Sequence, residues 1–351
     1  MKNKRYIIDT KFEEKYDATS KARKDVENIL NKENYLSKYI IIPKASNYKE
    51  LFKNIKLTYN SLIKILEEVE NNSTLVFQYP WDSFSYKFSK AILKYKKKKN
   101  LKTIVIIHDL NSLRSLSFFG RIYYKYYVRE FKYLSLFDYI ICHNNKMKKL
   151  LITNKVNSNK IVELSLFDYL TNYNNINDIK NFKFVSVAGN LTKEKSKYLY
   201  ELCELKQSIY NIELFGTNYN GRVSSNINYR GAFPPDELVS KINFGFGLVW
   251  DGESIDSLEG NFGKYELYNN PHKLSLYLAC NIPVIVSKDA AIASFVKKHN
   301  IGYAVKSLKD IEKVLKKCNK TQYKKMLKNV NEISIKVKDG YFIKQAINKC
   351  K

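Results

Sequence analysis

A short polar segment in the last third of the chain carries the residues best suited to bind an anion. In YELYNNPHKLSLYLACNIPVIV, an apolar helical pattern starts directly after Asn269-Asn270-Pro271-His272-Lys273. Asn270 suits a helix N-cap and Pro271 the first helical position, so the first-turn amides and the positive end of the helix dipole would face an anion. A cation in that turn opposes the dipole, and a phosphate partner would explain Lys273. A lysine that points into solvent is the equally weighted alternative.

Glycine-containing turns follow four predicted strands in the second half of the chain. In open α/β sheets, ligands bind outside the carboxyl ends of the strands, and glycine lets a backbone approach a ligand closely. Each turn alone is a weak signal, and the fourth, which leads into NNPHK, is the strongest. The candidate ligand-binding residues in these turns are Gly189, Asn190, Lys193, Gly216, Tyr229, Arg230, Gly231, Phe233, Asp251 and Gly252.

The elements that would position these residues alternate between strand-like and helix-like runs. The apolar runs RYIID, YIIIP, STLVFQYP and KTIVIIHD are separated by helical patterns, and the alternation restarts at FKFVSVAGN. This order is typical of parallel βαβ units in an open, doubly wound sheet. The polar, asparagine-rich segment 169–181 is the predicted linker. We therefore predict an α/β chain with two Rossmann-like domains facing a cleft, over residues 1–170 and 180–335.

The composition limits the class of protein. The 351 residues are 44% hydrophobic and 14% aromatic, which allows a sizeable core and is unlike a disordered chain. The formal net charge of +27 would suit nucleic acid, an anionic membrane or an anionic substrate. Because the lysines are dispersed and no nucleic-acid-binding motif is recognisable, we expect no nucleic-acid partner.

The cysteines and the apolar runs indicate where in the cell the protein is expected. Five cysteines without CxxC spacing predict neither a zinc site nor a disulfide framework, and no cluster at metal spacing is present. No segment approaches the roughly 18 uninterrupted apolar residues of a membrane span, and the start of the chain lacks the apolar core of a signal peptide. We expect a cytoplasmic protein, at most peripheral at the inner face of the membrane.

A long segment around NNPHK carries a family resemblance. GLVWDGESIDSLEGNFGKYELYNNPHKLSLYLACNIPVIVSKDAAIASFVKKHNIGYAV, residues 247–305, resembles the C-terminal domain of the Gtf3-like bacterial glycosyltransferases. That family includes glucosyltransferases acting on serine-rich-repeat adhesins and proteins labelled β-1,6-galactofuranosyltransferases. TSKARKDVENIL, VFQYP and IVIIHDLNSLR look like the family's counterparts, so the resemblance covers most of the chain. Ala18-Thr19 departs from it, because a glycine-containing turn is expected before Ser20.

The resemblance implies a GT-B architecture and a UDP-sugar donor. Its C-terminal domain would hold the nucleotide sugar without a metal or other cofactor, and a final helix over 336–351 would pack back on the N-terminal domain. Asn269 or Asn270, with Lys273, would hold the diphosphate, and Asn190 and Lys193 would reach it from a neighbouring turn. The residues expected against the uracil are Tyr229 to Phe233, and those expected on the sugar or ribose side are Asp251 and Gly252.

The acceptor, a sugar hydroxyl of a glycan or glycoprotein, would lie on the N-terminal domain. HDLNSLR follows a predicted strand, so His108, Asp109 and Arg114 fall at a carboxyl end. An inverting transfer needs a base. We favour Asp109, with His108 second, although a turn-capping Asp109 carries equal weight. Further acceptor-binding candidates are Ser20, Lys21, Gln78 and Tyr79.

Other functions remain open at this point. A non-catalytic nucleotide-sugar-binding subunit and a basic nucleic-acid-binding protein are the alternatives, and NNPHK together with His108-Asp109 argues against the former. The run RSLSFFGRIYYKYYVREFKYLSLF, residues 114–137, mixes basic and aromatic residues at helical spacing. A buried helix face with a protomer contact, and hence a homo-oligomer, is slightly preferred to a membrane-surface face.

Overall fold

The computed structural model describes residues 3–11, 18–42, 48–80, 86–115, 118–127, 129–174, 182–205 and 209–350. The chain divides into two compact units. The first comprises Met1–Leu164 with Ile343–Lys351, and the second comprises Ser165–Phe342. Each unit contains a six-stranded parallel sheet, as the alternating sequence pattern predicts.

In the first unit, strands alternate with helices along the chain. Its strands are β1 (Arg5–Lys11), β2 (Leu36–Ile41), β3 (Thr74–Tyr79), β4 (Lys102–Ile107), β5 (Tyr139–Cys142) and β6 (Ile161–Glu163). Its α-helices, up to the second unit, are α1 (Ala18–Lys32), α2 (Tyr48–Glu68), α3 (Tyr86–Lys99), α4 (Asn111–Arg114), α5 (Phe118–Ile122), α6 (Glu130–Leu134) and α7 (Asn145–Thr153). A π-helical turn at Tyr123–Tyr127 and a 3-10 turn at Ser158–Lys160 complete it.

The strand order of the first sheet places a switch point between β1 and β3. The order is β2-β1-β3-β4-β5-β6, so the chain first builds outward to β2 and then continues on the other side of β1. A reversal of this kind leaves a crevice outside the carboxyl ends of the two central strands. Asp9 of β1 and Gln78 of β3 lie at those ends.

The second unit repeats the plan. Its strands are β7 (Phe184–Asn190), β8 (Asn211–Thr217), β9 (Ile227–Gly231), β10 (Phe246–Val249), β11 (Val284–Ser287) and β12 (Gly302–Val305). Its helices are α8 (Lys193–Glu204), α9 (Pro235–Lys241), α10 (Gly260–Tyr265), α11 (His272–Ala279), α12 (Ala293–His299), α13 (Asp310–Lys317) and α14 (Lys320–Lys338). The last helix, α15 (Tyr341–Asn348), lies mostly in the first unit. The order β12-β11-β10-β7-β8-β9 puts its switch point between β7 and β10.

Buried apolar strands and one tyrosine fix α11 against the second sheet. All residues of β10 and β11 are buried, as expected for parallel strands covered on both faces. Tyr277 of α11 lies over β10 because Gly247 has no side chain, and a Cβ there would be 2.1 Å from the ring. The Tyr277 hydroxyl accepts a hydrogen bond from the Ala188 amide of β7 (2.8 Å). Helix α11 is thereby held against β10 and β7, the two strands on either side of the switch point.

The helical spacing over 114–137 does not correspond to a single helix. The described part of this segment contains α5, the π-helical turn and α6, and Arg129 between them has a left-handed backbone (φ 54°). The physical reason lies in Glu130, whose buried carboxylate bonds to the turn after β4 instead of to solvent. Phe119 on α5 is 81% exposed, so this side chain is not part of a buried helix face.

Two general features complete the fold. None of the helices among the described residues is both long and apolar enough to cross a bilayer. The five cysteines are all buried and none forms a disulfide, and burial raises the pKa of the Cys142 thiol to about 12.

Candidate functional site

The NNPHK segment starts α11 one residue later than predicted. Pro271 is the N-cap and His272 the first helical residue. The predicted N-cap role of Asn270 is wrong, because its buried side chain donates a hydrogen bond to the carbonyl of Ser165 (2.7 Å) instead. His272 stacks on Tyr169, with 5.1 Å between the ring centroids. The helix start therefore receives no side-chain cap from any residue that the structure describes.

Lys273 contacts a carboxylate at the switch point instead of pointing into solvent. Its Nζ lies 2.8 Å from Asp251 Oδ1 and 3.2 Å from the Trp250 carbonyl oxygen. The lysine side chain is 15% exposed and that of Asp251 is 14% exposed. Two predicted donor-binding residues are therefore brought together at the end of β10. A bound anion at this helix start would compete with Asp251 for the ammonium group.

Glu266, at the C-terminus of α10, is a buried acid beside this pair that the sequence did not reveal. It is 1% exposed, and neither carboxyl oxygen has a partner at ordinary hydrogen-bond geometry among the described residues, although the Asp251 backbone amide is close enough to lower its pKa. Burial raises its pKa well above the usual value, the nearby Asp251 adds to the rise, and the ammonium groups of Lys273 and Lys195 oppose it. The surroundings therefore favour the uncharged form of Glu266. The neighbouring amide oxygen Asn269 Oδ1 is likewise buried without a hydrogen-bond partner among the described residues.

The turn after β10 is held against α8. Gly252 has φ +117°, and a Cβ there would lie 2.3 Å from the Glu259 carbonyl oxygen, so only glycine fits. Its amide donates to the Lys195 carbonyl and its own carbonyl accepts from the Tyr198 amide, both at 3.3 Å. Lys195, one of three lysines on this helix, carries a charge that lowers the pKa of Glu266. Lys193 is exposed and lies 5.9 Å from the centroid of the Tyr200 ring.

The turns after β7 and β8 lie side by side. Asn190 Oδ1 accepts hydrogen bonds from the Thr192 amide (3.1 Å) and from Asn218 (3.3 Å). Gly189 is paired with Gly216, where a Cβ would lie 1.7 Å from the Gly189 carbonyl oxygen. Strand packing is thus a sufficient reason for glycine at 216.

The turn after β9 presents an aromatic and a basic side chain. Tyr229 is half-exposed and its hydroxyl donates to the Gly216 carbonyl (2.8 Å). Arg230 forms an ion pair with the buried carboxylate of Glu213. Gly231 ends the strand, and the Phe233 ring lies 6.4 Å from that of Phe215. The Glu213 contact gives Arg230 a structural partner within the sheet.

In the first unit, hydrogen bonds connect the ends of three neighbouring strands. Gln78 Nε2 donates to Asp9 Oδ2 (2.7 Å), and Gln78 Oε1 lies 2.8 Å from His108 Nε2. Arg23 of α1 pairs with Asp9 and also bonds to the carbonyl of Pro80. Asp9, Arg23, Gln78 and His108 are all buried. Gln78 and His108 were predicted site residues, whereas Asp9 and Arg23 carried no signal in the sequence beyond their position at a strand end and on a helix.

The HDLNSLR turn is held by a buried acid from α6. Glu130 accepts hydrogen bonds from the Tyr79 hydroxyl (2.6 Å), the Asn111 amide (2.8 Å) and the Ser112 amide (3.1 Å). Burial raises its pKa and these hydrogen bonds oppose the rise. Tyr79 is therefore a fully buried support for the turn, not an accessible acceptor-binding side chain.

The remaining residues of this region have local partners. Arg114 forms an ion pair with Asp109, the residue favoured as the base. Lys21 pairs with Asp25 one turn along α1 (2.8 Å), and the side chain of Ser20 lies outside the described part. His143 donates from Nε2 to the Ile107 carbonyl (2.9 Å), and burial lowers its pKa to about 4.

No group of three His, Cys, Asp or Glu side chains that could hold a metal ion occurs among the residues that the structure describes.

Comparison with protein families gives matches over nearly the whole chain. Residues 4–166 match the model described as glucosyltransferase 3-like, N-terminal domain, and residues 185–350 match its C-terminal counterpart. The β-1,6-galactofuranosyltransferase WbbI of Escherichia coli K12 is 29% identical over 354 residues, which is 97% of this chain and 96% of that protein.

Solved structures with little sequence identity share the fold. The lipopolysaccharide outer core galactosyltransferase WaaB in its apo form matches with a TM-score of 0.61 at 10% identity, covering 98% of both chains. An alpha-glucosyltransferase in complex with UDP and a 13-mer DNA matches with a TM-score of 0.61 at 12% identity, covering 99% of both chains. Two Rossmann-like units of this kind make up the GT-B fold of glycosyltransferases.

Proposed function

Because the chain belongs to the glucosyltransferase 3-like family and is a GT-B glycosyltransferase, we propose that it transfers a hexose from a UDP-sugar to a sugar hydroxyl. The hexose is glucose or galactose, the latter including its furanose form, and the acceptor is a glycan or glycoprotein. The transfer needs no metal ion. The observation that carries the proposal is the Lys273–Asp251 ion pair at the start of α11 and the end of β10.

The diphosphate of the donor takes the place of Asp251 beside Lys273. A phosphate oxygen can accept from the lysine ammonium and from the first-turn amides of α11, where the helix dipole also favours negative charge. Lys195 and Lys273 both add positive charge here, and burial disfavours the negatively charged form of Glu266. Asn190 and Asn269 add polar groups on either side, and Tyr229 supplies an aromatic surface for the uracil.

The transfer step exchanges one bond at the anomeric carbon. The acceptor hydroxyl oxygen forms the new bond, its proton passes to a base of the first unit, and the bond from the anomeric carbon to the diphosphate breaks. The electron pair leaves on UDP, where Lys273 and the α11 amides stabilise the charge in place of a metal ion. The proposed bases are Asp109 and His108 at the end of β4.

A donor screen tests the proposal. UDP release is measured with UDP-glucose, UDP-galactose and UDP-galactofuranose, each with a panel of glycan acceptors, in the presence and absence of EDTA. We expect release with at least one donor, dependent on the acceptor and insensitive to EDTA. Loss of activity in EDTA that added Mg²⁺ or Mn²⁺ restores would contradict metal independence. NMR of the product then gives the linkage and the anomeric configuration.

The base is tested separately. If Asp109 takes the proton, Asp109→Asn loses turnover by about a hundredfold or more. Wild-type turnover in Asp109→Asn would remove Asp109 as the base and leave it as the partner of Arg114.

The assembly and location are part of the proposal. A second copy of the chain covers the exposed Phe119 and Tyr123 of the 114–137 segment, in the cytoplasm where the nucleotide sugar is used. Light scattering that shows a dimer or larger assembly, lost in Phe119→Ser, would support this. A monomer that instead floats with anionic liposomes at low salt would support the membrane-surface alternative.

A further inference from the structure

The first five residues of the second unit, 165–169, form a short connection that we call the entry segment. Just before it, the Leu164 amide still donates to the Cys142 carbonyl of β5 (2.8 Å). Ser165 then has a left-handed backbone (φ 74°), a conformation that is disfavoured for residues other than glycine. The residues that follow it, 166–169, are buried. A strained backbone of this kind persists only where its neighbours hold it in place.

Side chains at the start of α11 hold two backbone carbonyls of the entry segment. Asn270, just before the helix, donates from Nδ2 to the Ser165 carbonyl (2.7 Å). Ser275, on the helix, donates from Oγ to the Phe167 carbonyl (2.7 Å). Asn270 is 4% exposed and Ser275 is 1% exposed. Because both side chains are buried, we assign neither of them a contact with a ligand.

The entry segment is also fixed to two other helices of the second unit. The Tyr169 amide donates to the Val337 carbonyl of α14 (3.1 Å), and the Tyr169 hydroxyl donates to the Pro235 carbonyl of α9 (2.9 Å). The ring of Tyr169 stacks on that of His272, the first residue of α11. The entry segment is therefore a firm support against which the helix start rests.

Two faces of α11 make different contacts. His272 and Ser275 are three residues apart, so they share a face, and both contact the entry segment. Lys273 and Tyr277 are four residues apart and share another face, which meets β10 and the turn after it. Tyr277 fixes the middle of the helix. The first turn has no side-chain cap among the described residues, so its position depends on the entry segment.

We propose that Asn270 and Ser275 are positioning residues, which hold α11 on the entry segment so that Lys273 and the first-turn amides face the diphosphate of the donor. The part played by the diphosphate rests on the proposed function, whereas the position of the helix start rests on the hydrogen bonds alone. The inference gives the buried asparagine of NNPHK a task that is neither helix capping nor ligand contact.

Binding of UDP and of uridine to the full-length protein, measured by calorimetry, tests the inference. Both ligands carry the base and the ribose, and only UDP has the diphosphate that the helix start binds. In Asn270→Ala, we expect the Kd of UDP to rise by about tenfold, because one buried hydrogen bond that orients the helix start is lost. The Kd of uridine should change by less than about twofold. In Ser275→Ala, which hardly changes the side-chain volume, the Kd of UDP should rise by about threefold.

Asn329→Ala is the matched control. Asn329 of α14 donates to the carbonyl of Asn300 (3.0 Å), which has a left-handed backbone (φ 49°) as Ser165 does. The variant therefore loses the same kind of hydrogen bond in the same unit, at the end of α12 instead of at the start of α11. Both dissociation constants should stay at their wild-type values.

Hydrogen exchange without any ligand tests the position of the helix start by itself. We expect the peptide that covers the first turn of α11 to exchange faster in Asn270→Ala and Ser275→Ala than in the wild-type protein or Asn329→Ala. This measurement does not depend on the reaction. Failure of the proposed function is seen separately, as a wild-type protein that releases no UDP from any hexose donor.

Three results would overturn the inference. The first is an equal loss of UDP and uridine affinity in the α11 variants, which would reduce Asn270 and Ser275 to general structural support. The second is wild-type UDP affinity in both variants, and the third is unchanged exchange at the first turn of α11. If Asn270→Ala does not fold, Ser275→Ala gives the same three comparisons.

Discussion

The two switch points of this glycosyltransferase hold their polar side chains by different interactions. In the first unit, Asp9, Gln78 and His108 are joined by hydrogen bonds across neighbouring strands. In the second unit, the Lys273–Asp251 ion pair lies beside Glu266, whose carboxyl oxygens have no hydrogen-bond partner among the described residues. The first region is connected mainly by hydrogen bonds, with Thr10 Oγ1 and Arg23 Nε left without a hydrogen-bond partner among the described residues. The second region is dominated by an ion pair beside a buried acid.

This difference suits the two tasks. A group that moves a proton must be held in one tautomer and one orientation before the substrate arrives. A site that takes up a diphosphate needs positive charge that the protein can release from an internal partner. In the proposed donor site, Asp251 would be that internal partner, and the burial that raises the pKa of Glu266 would disfavour a second negative charge close to the phosphates.

The largest loss of stability should come from removing Glu130, whose side chain holds the turn after β4 in the first region. Glu130→Ala leaves the Tyr79 hydroxyl and the amides of Asn111 and Ser112 buried without their acceptor. Since each unsatisfied group costs about 1–3 kcal/mol, we expect the free energy of unfolding to fall by about 3 kcal/mol. Urea denaturation followed by circular dichroism measures this change.

A half-exposed acid of the same unit is the matched control. Glu163 lies 3.7 Å from Lys148 in a solvent-accessible ion pair, so Glu163→Ala should cost less than about 1 kcal/mol. Equal losses in the two variants would mean that the turn after β4 is not held by Glu130, and that the first region is less preorganised than its hydrogen bonds suggest.

The strands of both sheets could be predicted from the sequence because their apolar residues are continuous. KTIVIIHD and IPVIV are continuous apolar runs, which is the pattern of parallel strands buried on both faces. The glycine and asparagine turns also lie where the strand ends were expected. The helical spacing over 114–137 does not correspond to a single helix, because periodicity does not reveal that Glu130 turns inward to bond the backbone after β4.

Side-chain partners were much harder to predict than elements. Lys273 drew attention as a cation in a first helical turn, but its partner Asp251 is 22 residues away. Gln78 is 69 residues from Asp9 and 30 from His108, and only the strand order β1-β3-β4 brings them together. Glu266 stands in an ordinary helical stretch, and its burial depends on the packing of α10, which no local pattern shows.

The second region is tested directly at its cation. In the proposed donor site, Lys273→Ala removes a charge-assisted contact to the diphosphate, so we expect the donor KM to rise or kcat to fall by about tenfold or more. UDP affinity from calorimetry should fall in parallel. Lys309→Ala is the control, because Lys309 pairs with Asp256 on the exposed surface of the same unit. Unchanged UDP binding in Lys273→Ala would contradict its assignment to the diphosphate.

The smallest predicted effect is on the pH dependence of stability and donor affinity, and it comes from Glu266. It is also the effect most specific to the balance of charges in the second region. The pKa of Glu266 in the folded protein is raised above the ordinary value of 4.5, so the stability it contributes is complete below that value and is lost as the pH rises through the raised pKa. Ionisation also places a negative charge beside Lys273, so donor affinity should weaken over the same range. Glu266→Gln removes both dependences and should leave a flatter profile, with severalfold tighter UDP binding at the alkaline end.

Glu253→Gln separates this effect from a general loss of negative charge. Glu253 belongs to the same turn region but is exposed, so its replacement should leave the pH profile of UDP binding unchanged. If Glu266→Gln keeps the wild-type profile, Glu266 does not titrate beside the lysines, and the second region would resemble the first in having its charges fixed before the ligand binds. If only Glu266→Gln flattens the profile, charge balance is what distinguishes the donor region from the hydrogen-bonded region around His108.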